Sequence, residues 1–199
     1  MSHLAKFKRF RALGVTTRLR LVYWRMKSRF YFAPQFESFG RRSVIEKPLL
    51  IENVAGITIG DDCSIRPGAR LEVVDRPRHT LGRIRLGDRV SIEQNVHISA
   101  CDLVEIEDDV CVSAGVVIVD TSHPTGVPGD GSRVRHISEA PSFVKIGRRV
   151  FIGANSVILP NVSIGENSVI GAGSVVARDI PANCVAAGSP ARVVKVIPT

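Results

Sequence analysis

The sequence of 199 residues predicts an all-β fold, a parallel β-solenoid preceded by a helical N-terminal extension. Two observations predict it: an aliphatic residue recurs at every sixth position, and a basic segment precedes that repeat. From Ile146 to Val176 the chain reads IGRRVF, IGANSV, ILPNVS, IGENSV and IGAGSV. A period of six fits neither a helix, with about 3.6 residues per turn, nor an isolated strand. It is typical of a solenoid in which each hexad forms one flat side and its aliphatic residue points to the axis.

The N-terminal extension carries the excess positive charge. Residues 1–36 contain nine Lys and Arg and no acidic residue, whereas residues 37–199 hold 18 basic and 19 acidic residues. Apolar residues at steps of three and four predict a helix over residues 5–31, which would cap the open end of the solenoid. We therefore divide the chain into an extension, residues 1–48, and a solenoid, residues 49–199.

Two roles are open for this basic, aromatic-rich arm. It suits a capping helix with a solvated basic face, and it also suits peripheral contact with anionic lipid at the inner face of a membrane. No recognised nucleic-acid motif accompanies it, so we expect no nucleic-acid partner.

The repeat continues with one major interruption. Hexads begin near Ile57 as IGDDCS and IRPGAR, lose their phase over residues 72–83, and resume as LGDRVS, IEQNVH, IEDDVC, VSAGVV and IVDTSH. Residues 124–143 lack the pattern and predict an excursion loop. The repeat resumes at Val144 and ends near Ile180, and the tail predicts a closing turn and a short last strand. Gly and Asn accept the special dihedral angles of the corners.

The four cysteines show neither a C-x-x-C pair nor a zinc spacing. Cys63 occupies the small fifth position of its hexad, which predicts burial. We expect no disulfide framework and a reducing, cytoplasmic setting. No apolar run approaches the ~20 residues of a membrane span, and no apolar stretch of a signal peptide follows the basic start.

Four features in order resemble the left-handed β-helix acyltransferases: the hexads, the segment TSHPTG, the segment FIGANSVILP and the closing AAGSPARVVK. The galactoside, maltose and polysaccharide O-acetyltransferases are the most similar, and the resemblance covers residues 57–196. It implies a left-handed β-helix, a homotrimer, and acetyl-CoA as co-substrate in a groove between neighbouring subunits. It implies a sugar or polysaccharide acceptor and no metal.

The resemblance identifies His123 as the catalytic residue. An alcohol is a poor nucleophile at neutral pH, and an imidazole with a pKa near ~6.5 suits a general base that would take its proton. No Cys or Ser lies in a nucleophile motif, so direct transfer without an acyl-enzyme is expected. Asp120 either orients the imidazole or begins the turn.

The resemblance also implies binding residues. Glu93 aligns where the galactoside and maltose enzymes commonly have Asn, and Asn95 is expected to face the same side by strand alternation. Glu93 would bind the acceptor or the imidazole proton, or it is a solvated edge residue. The positions implied for acetyl-CoA are Phe151, Ala154, Ala172, Arg178, Ser189, Pro190, Arg192 and Lys195.

The predicted function is acetyl-CoA-dependent O-acetylation of a sugar hydroxyl in a bacterial surface polysaccharide or its lipid-linked precursor. Two alternatives remain: an N-acetyltransferase of an amino sugar or small xenobiotic, and a non-catalytic solenoid scaffold. A zinc enzyme of the γ-carbonic anhydrase type needs three His on one metal, and the five histidines include no H-x-x-x-x-H pair.

Overall fold

The computed structural model describes residues 14–74, 82–123 and 140–198. The start of the predicted N-terminal helix, most of the phase break at 72–83 and most of the predicted excursion loop at 124–143 lie outside the described residues.

Three sheets form the sides of a prism, and the chain visits them in turn. Sheet 1 contains β1 (Ser38–Phe39), β4 (Ile57–Ile59), β7 (Arg83–Leu86), β10 (Leu103–Ile106), β13 (Phe143–Ile146) and β16 (Val162–Ile164). Sheet 2 contains β2 (Val44–Ile45), β5 (Ser64–Ile65), β8 (Ser91–Ile92), β11 (Cys111–Val112), β14 (Phe151–Ile152), β17 (Val169–Ile170), β19 (Cys184–Gly188) and β20 (Ala191–Val196). Sheet 3 contains β3 (Leu50–Glu52), β6 (Arg70–Val73), β9 (His97–Ala100), β12 (Val117–Val119), β15 (Val157–Ile158) and β18 (Val175–Val176).

The described residues form six coils with one strand per sheet in each coil, and every pairing between coils is parallel. The register aligns equivalent hexad positions: Ile92 pairs with Ile65 and with Val112, so aliphatic side chains stack along the axis. These residues are fully buried, and Cys63 is buried as predicted. The predicted parallel β-helix is confirmed.

The first coil begins earlier than the predicted domain boundary. β1 pairs with β4 and β2 pairs with β5 in the register of the later coils, so the solenoid starts at Ser38, within the segment assigned to the extension. Phe39 aligns with Ile59 and takes the position of the repeating aliphatic residue. An aromatic residue at that position hides the hexad from a search for aliphatic periodicity.

Glycine at the second hexad position is required by close contact between coils. A Cβ atom at Gly153 would lie 2.5 Å from the backbone nitrogen of Ala172 in the next coil. The corners themselves adopt left-handed conformations at other residues, among them Asn95, Gly115 and Asn155. The prediction that Gly and Asn occupy left-handed corners is confirmed, but Gly153 is selected by space rather than by its dihedral angles.

Helix α1 (Val15–Lys27) continues as a π-helical turn (Ser28–Phe32) and a 3-10 turn (Ala33–Gln35), and lies over the first coil. The hydroxyl of the fully buried Ser28 accepts a hydrogen bond from Ile45 N at 2.9 Å. Arg20 lies 3.9 Å from the buried carboxylate of Glu46, which also binds Arg66 at 2.9 Å. Ser28 thus occupies the edge of β2 that has no strand neighbour among the described residues.

At the opposite end, β19 pairs with β17 and then with β20 in antiparallel orientation. This hairpin confirms the closing turn and last strand predicted from the tail.

Candidate functional site

Two edges of the prism contain several of the residues singled out in the sequence. The first, which we call the sheet 2–3 corner, joins sheet 2 to sheet 3 and contains residues 67–68, 94–95, 114–115, 154–155 and 172–173. The second, the sheet 3–1 corner, joins sheet 3 to sheet 1 and contains residues 100–102, 120–123, 159–161 and 177–179.

Asp120 fixes the sheet 3–1 corner. Its fully buried carboxylate accepts backbone hydrogen bonds from Cys101, Asp102 and Leu103 at 2.6, 2.8 and 2.7 Å, and the Thr121 hydroxyl lies 3.3 Å away. Cys101 and Asp102 belong to the turn between β9 and β10, at the same corner one coil earlier, and Leu103 is the first residue of β10. Asp120 therefore joins two successive coils at the point where the chain leaves the repeat.

His123 follows at the same corner and is exposed. It lies three positions after Asp120, whose carboxylate is anchored to the preceding turn of the corner. An exposed imidazole is accessible to an external substrate.

Glu93 and Asn95 lie at the other edge. Asn95 has φ of 57° and occupies the sheet 2–3 corner, so the strand alternation used to align its side chain with that of Glu93 does not apply there. The Glu93 carboxylate accepts a hydrogen bond from the Ser91 hydroxyl at 3.2 Å and lies 3.8 Å from the Arg66 guanidinium.

The residues implied for acetyl-CoA lie mainly on sheet 2 and its corner with sheet 3. Phe151 is an exposed residue of β14, and Ala154 and Ala172 stack in successive coils, where Gly173 N donates to Ala154 O at 2.8 Å. Exposed positions of the closing hairpin and its loop add Ser189, Pro190, Arg192 and Lys195. Arg178 is exposed at the sheet 3–1 corner.

A single chain does not bring His123 close to the corner that contains Ala154 and Ala172. In the fourth coil, sheet 3 separates Gly115 at one corner from Asp120 at the other, five residues on. Extended chain rises about 3.3 Å per residue, so this separation is roughly 16 Å. His123 and the corner of Ala154 and Ala172 therefore lie on different edges of the prism.

A polar cluster that sequence reasoning missed lies between the two corners, on the outer face of sheet 3. Arg70 donates to the Glu72 carboxylate at 2.7 Å, and His97 Nε2 lies 3.8 Å from the same oxygen. Burial and the Arg70 cation lower the pKa of His97 below its ordinary value, and Glu72 opposes that shift. Buried Ser99 completes the cluster.

The pairing of β6 with β9 brings the members of this cluster together. His97 pairs with Arg70 on one side and with Val117 of β12 on the other, so it lies one coil before the strand that leads to His123. Residues 70 and 97 are far apart in sequence, and the phase break between them obscures their pairing. In the segments R-L-E (70–72) and H-I-S (97–99), polar residues flank one apolar residue. This alternation could have indicated that the polar side chains of both segments share an outward face.

Two further observations concern the described part of the chain. Within it, no three His, Cys, Asp or Glu side chains converge as a metal site. Among its helices, none combines the length and the apolar composition that crossing a membrane requires.

Comparisons with known proteins identify one family and several relatives. The family described as "Bacterial transferase hexapeptide (six repeats)" matches residues 143–178. The chain is 34% identical over 159 residues to the "Putative lipopolysaccharide biosynthesis O-acetyl transferase WbbJ" of Escherichia coli (strain K12), which covers 76% of this chain and 78% of that protein.

Two solved structures are similar over most of their length. A galactoside acetyltransferase in complex with coenzyme A superposes with a TM-score of 0.60 at 27% identity and covers 91% of this chain and 80% of its own. AntD, an N-acyltransferase from Bacillus cereus, superposes with a TM-score of 0.71 at 22% identity and covers 83% and 86% of the two chains. The second likeness concerns the fold alone. The fold shared with these neighbours is the left-handed β-helix that the resemblance implied.

Proposed function

Because this chain belongs to the hexapeptide-repeat acetyltransferases, we propose that it transfers the acetyl group of acetyl-CoA to a sugar hydroxyl, with His123 as general base. The chain is an acyltransferase and acetyl-CoA is its co-substrate, as the sequence predicts. The acceptor, the residues and the mechanism are the subject of the proposal.

The placement of His123 carries the proposal. It is an exposed imidazole at a corner whose backbone is held by the three hydrogen bonds that Asp120 accepts. A base must reach the proton of a bound hydroxyl within about 2.6–3.2 Å, and a rigid corner supports such a geometry. The 34% identity to a protein named for O-acetyl transfer in lipopolysaccharide biosynthesis supports a hydroxyl acceptor.

The proposed reaction is a direct transfer. The imidazole of His123 takes the hydroxyl proton as the acceptor oxygen attacks the thioester carbonyl and forms the new C–O bond. The C–S bond then breaks, and the CoA thiolate leaves with a proton from the imidazolium. Backbone N–H groups near the carbonyl would stabilise the negative charge that develops on its oxygen.

The residues proposed for acetyl-CoA fit its chemistry. Alanine side chains at residues 154 and 172 leave room for the pantetheine arm beside the corner backbone, and exposed Phe151 offers an apolar wall. Arg178, Arg192 and Lys195 supply cations for the phosphates.

A homotrimer would complete this site. In one chain the imidazole and the sheet 2–3 corner are separated by the width of sheet 3, roughly 16 Å by strand rise. A groove between neighbouring subunits can combine His123 of one with the acetyl-CoA corner of the next. We therefore propose one acceptor site per subunit interface.

The proposed acceptor is a sugar of a bacterial surface polysaccharide or its lipid-linked precursor. The cluster of Arg70, Glu72 and His97 suits hydrogen bonding to sugar hydroxyls, since it offers donors and acceptors on one face. His97 lies one coil before β12, the strand that leads to His123.

The test compares two His→Ala variants of the full chain with acetyl-CoA and a panel of galactoside, polysaccharide and amino-sugar acceptors. His123→Ala should lower the transfer rate by about 10²–10⁴-fold while acetyl-CoA affinity stays within twofold, because a general base acts only on the chemical step. His97→Ala should instead raise the acceptor KM and leave kcat within about threefold.

Turnover retained in His123→Ala would remove that residue from the mechanism. Transfer to amines alone would establish the N-acetyltransferase, and acetyl-CoA binding without transfer to any acceptor would establish the scaffold.

A further inference from the structure

Helix α1 and the π-helical turn that continues it have two opposite faces of different character. Thr17, Leu21, Trp24 and Ser28, spaced by three and four residues, turn toward the solenoid and are partly or fully buried. The opposite face carries large apolar side chains that are all exposed by 47–70%. We call them the apolar stripe: Val15, Leu19, Val22, Tyr23, Met26 and Phe30.

The stripe is continuous. Leu19, Val22 and Met26 follow Val15 at steps of four, three and four, so one side of the helix is apolar along its whole length. At 69% and 70% exposure, Val15 and Phe30 at its two ends are among the most exposed apolar side chains described. Such a face needs a partner, because soluble proteins rarely leave a contiguous apolar surface of this kind uncovered.

Cations line both sides of the stripe. At about 100° per residue, Arg25 lies on one flank with Arg29 of the following turn, and Lys27 lies on the other. Arg20, also on that second flank, is engaged with Glu46 of the solenoid. The chain has no acidic residue before Glu37. An apolar strip between two cationic rows, with aromatic side chains in it, matches a bilayer surface whose anionic headgroups lie above its acyl chains.

The position of α1 determines which way the apolar stripe faces. Since α1 covers the first coil, the stripe points away from the other coils, at the terminal end of the prism. Leu49, which precedes β3 in the same first coil, is 76% exposed. The apolar surface is therefore at the end of the molecule farthest from the closing hairpin.

We propose that α1 lies in the interface of an anionic lipid bilayer, with the apolar stripe embedded and its flanking cations among the headgroups. The solenoid then stands on the membrane with its first coil toward the lipid. This inference rests on the proposed function in one respect, since that function provides the lipid-linked acceptor.

The orientation sets the height of the site. His123 follows a strand of the fourth coil, and three coil spacings of about 4.8 Å amount to roughly 14 Å. The helix adds about 10 Å, of which about 5–10 Å would be embedded. The reacting hydroxyl is therefore about 14–19 Å above the membrane surface, which favours a sugar distant from the lipid over the sugar attached to it.

Cosedimentation of the full chain with sucrose-loaded vesicles tests the proposal without acetyl-CoA or acceptor. Vesicles of phosphatidylcholine with about 30% phosphatidylglycerol should bind the protein, and vesicles of phosphatidylcholine alone should bind it at least about tenfold more weakly. Leu19→Ser with Met26→Ser should weaken binding to the anionic vesicles at least about tenfold, because two embedded side chains are lost. Arg25→Gln with Arg29→Gln should weaken it about 25-fold at low salt, about fivefold per cation.

Two matched variants serve as controls. Arg85→Gln with Arg148→Gln removes the same charge from the side of the solenoid, and Val196→Ser removes an exposed apolar side chain at the opposite end. Both should bind vesicles as the wild type does.

Equal binding to neutral and anionic vesicles, absence of binding, or equal losses in the controls would overturn the proposal. So would a change of oligomeric state in the Leu19→Ser and Met26→Ser variant at unchanged vesicle affinity, since the stripe would then pack on another copy of the chain. Acetyl transfer to soluble sugars is measured separately, so failure of either experiment leaves the other interpretable.

Discussion

Asp120 is a buried carboxylate that backbone amides hold in place. Three N–H groups at the preceding turn of the same corner donate to its two oxygens at 2.6–2.8 Å. Hydrogen bonds to a charged group contribute about 1.5–3 kcal/mol each, and a buried donor left without an acceptor costs about 1–3 kcal/mol. Asp120 thus connects the stability of the corner to the position of His123.

Asp120→Asn should lower the free energy of unfolding by about 3 kcal/mol, because one amide oxygen replaces two carboxylate oxygens and the NH₂ group faces backbone donors. Urea denaturation followed by circular dichroism measures the change. The same substitution at Asp109, an exposed carboxylate paired with Arg89 at 2.6 Å, should cost less than about 1 kcal/mol. Equal losses in the two variants would contradict the assigned role.

At the residue scale, predictability depended on where the partners lie. His123 could be singled out from the sequence because its signal, the segment TSHP beside the loss of the hexads, is local, and its role stays a prediction. The contacts of Asp120 were not predictable, because its donors, residues 101–103, lie at the preceding turn of the corner, 17–19 positions earlier in the sequence. Asn95 was aligned with Glu93 by an alternation that ends where the corner turns left-handed.

The hexad as an element requires two kinds of glycine. A Cβ atom at Gly153, in the second position, would lie 2.5 Å from a backbone nitrogen. A Cβ atom at Gly173, a corner residue with φ of 68°, would meet no atom of the described residues within 4 Å. Lack of space excludes a side chain at Gly153, whereas the left-handed backbone conformation disfavours most side chains at Gly173.

Gly153→Ala should therefore lower the free energy of unfolding by about 1–3 kcal/mol, since two coils must separate to admit the methyl group. Gly173→Asn should stay within about 0.5 kcal/mol, because Asn tolerates the left-handed conformation and occupies equivalent corners at residues 95 and 155. Thermal unfolding of the two variants measures the difference. Equal destabilisation would show that conformation, not space, selects glycine in the hexads.

Most coils were predictable because an aliphatic residue at every sixth position identifies the inward-facing side chain of each strand. The first coil was not predicted, although Phe39 and Ile45 align with Ile59 and Ile65. Its aromatic residue breaks the aliphatic pattern, and the arrangement becomes visible only through pairing with the next coil. The sheet 3 cluster was missed for the same reason, since its members come from two coils.

At the scale of the whole molecule, the three outer faces differ. Sheet 1 presents charged side chains such as Arg85 and Glu105, which lie 3.9 Å apart. In the later coils, sheet 3 presents half-buried Val117, Val157 and Val175. A face of small apolar side chains suits contact between subunits better than a charged one. Sheet 3 also separates the two corners that the proposed site combines.

If the site forms between subunits, two inactive variants should complement each other. His123→Ala lacks the base and Ala172→Trp obstructs the acetyl-CoA corner, so each alone should show little transfer. In trimers assembled at random from equal amounts of both, about a quarter of the interfaces combine an intact base with an intact corner, because each subunit contributes a different surface to each interface. Coexpressed protein should therefore recover about a quarter of wild-type activity at a mass three times 21.6 kDa. A single chain carrying both substitutions should recover none, and a mixture that stays inactive would place the whole site within one subunit.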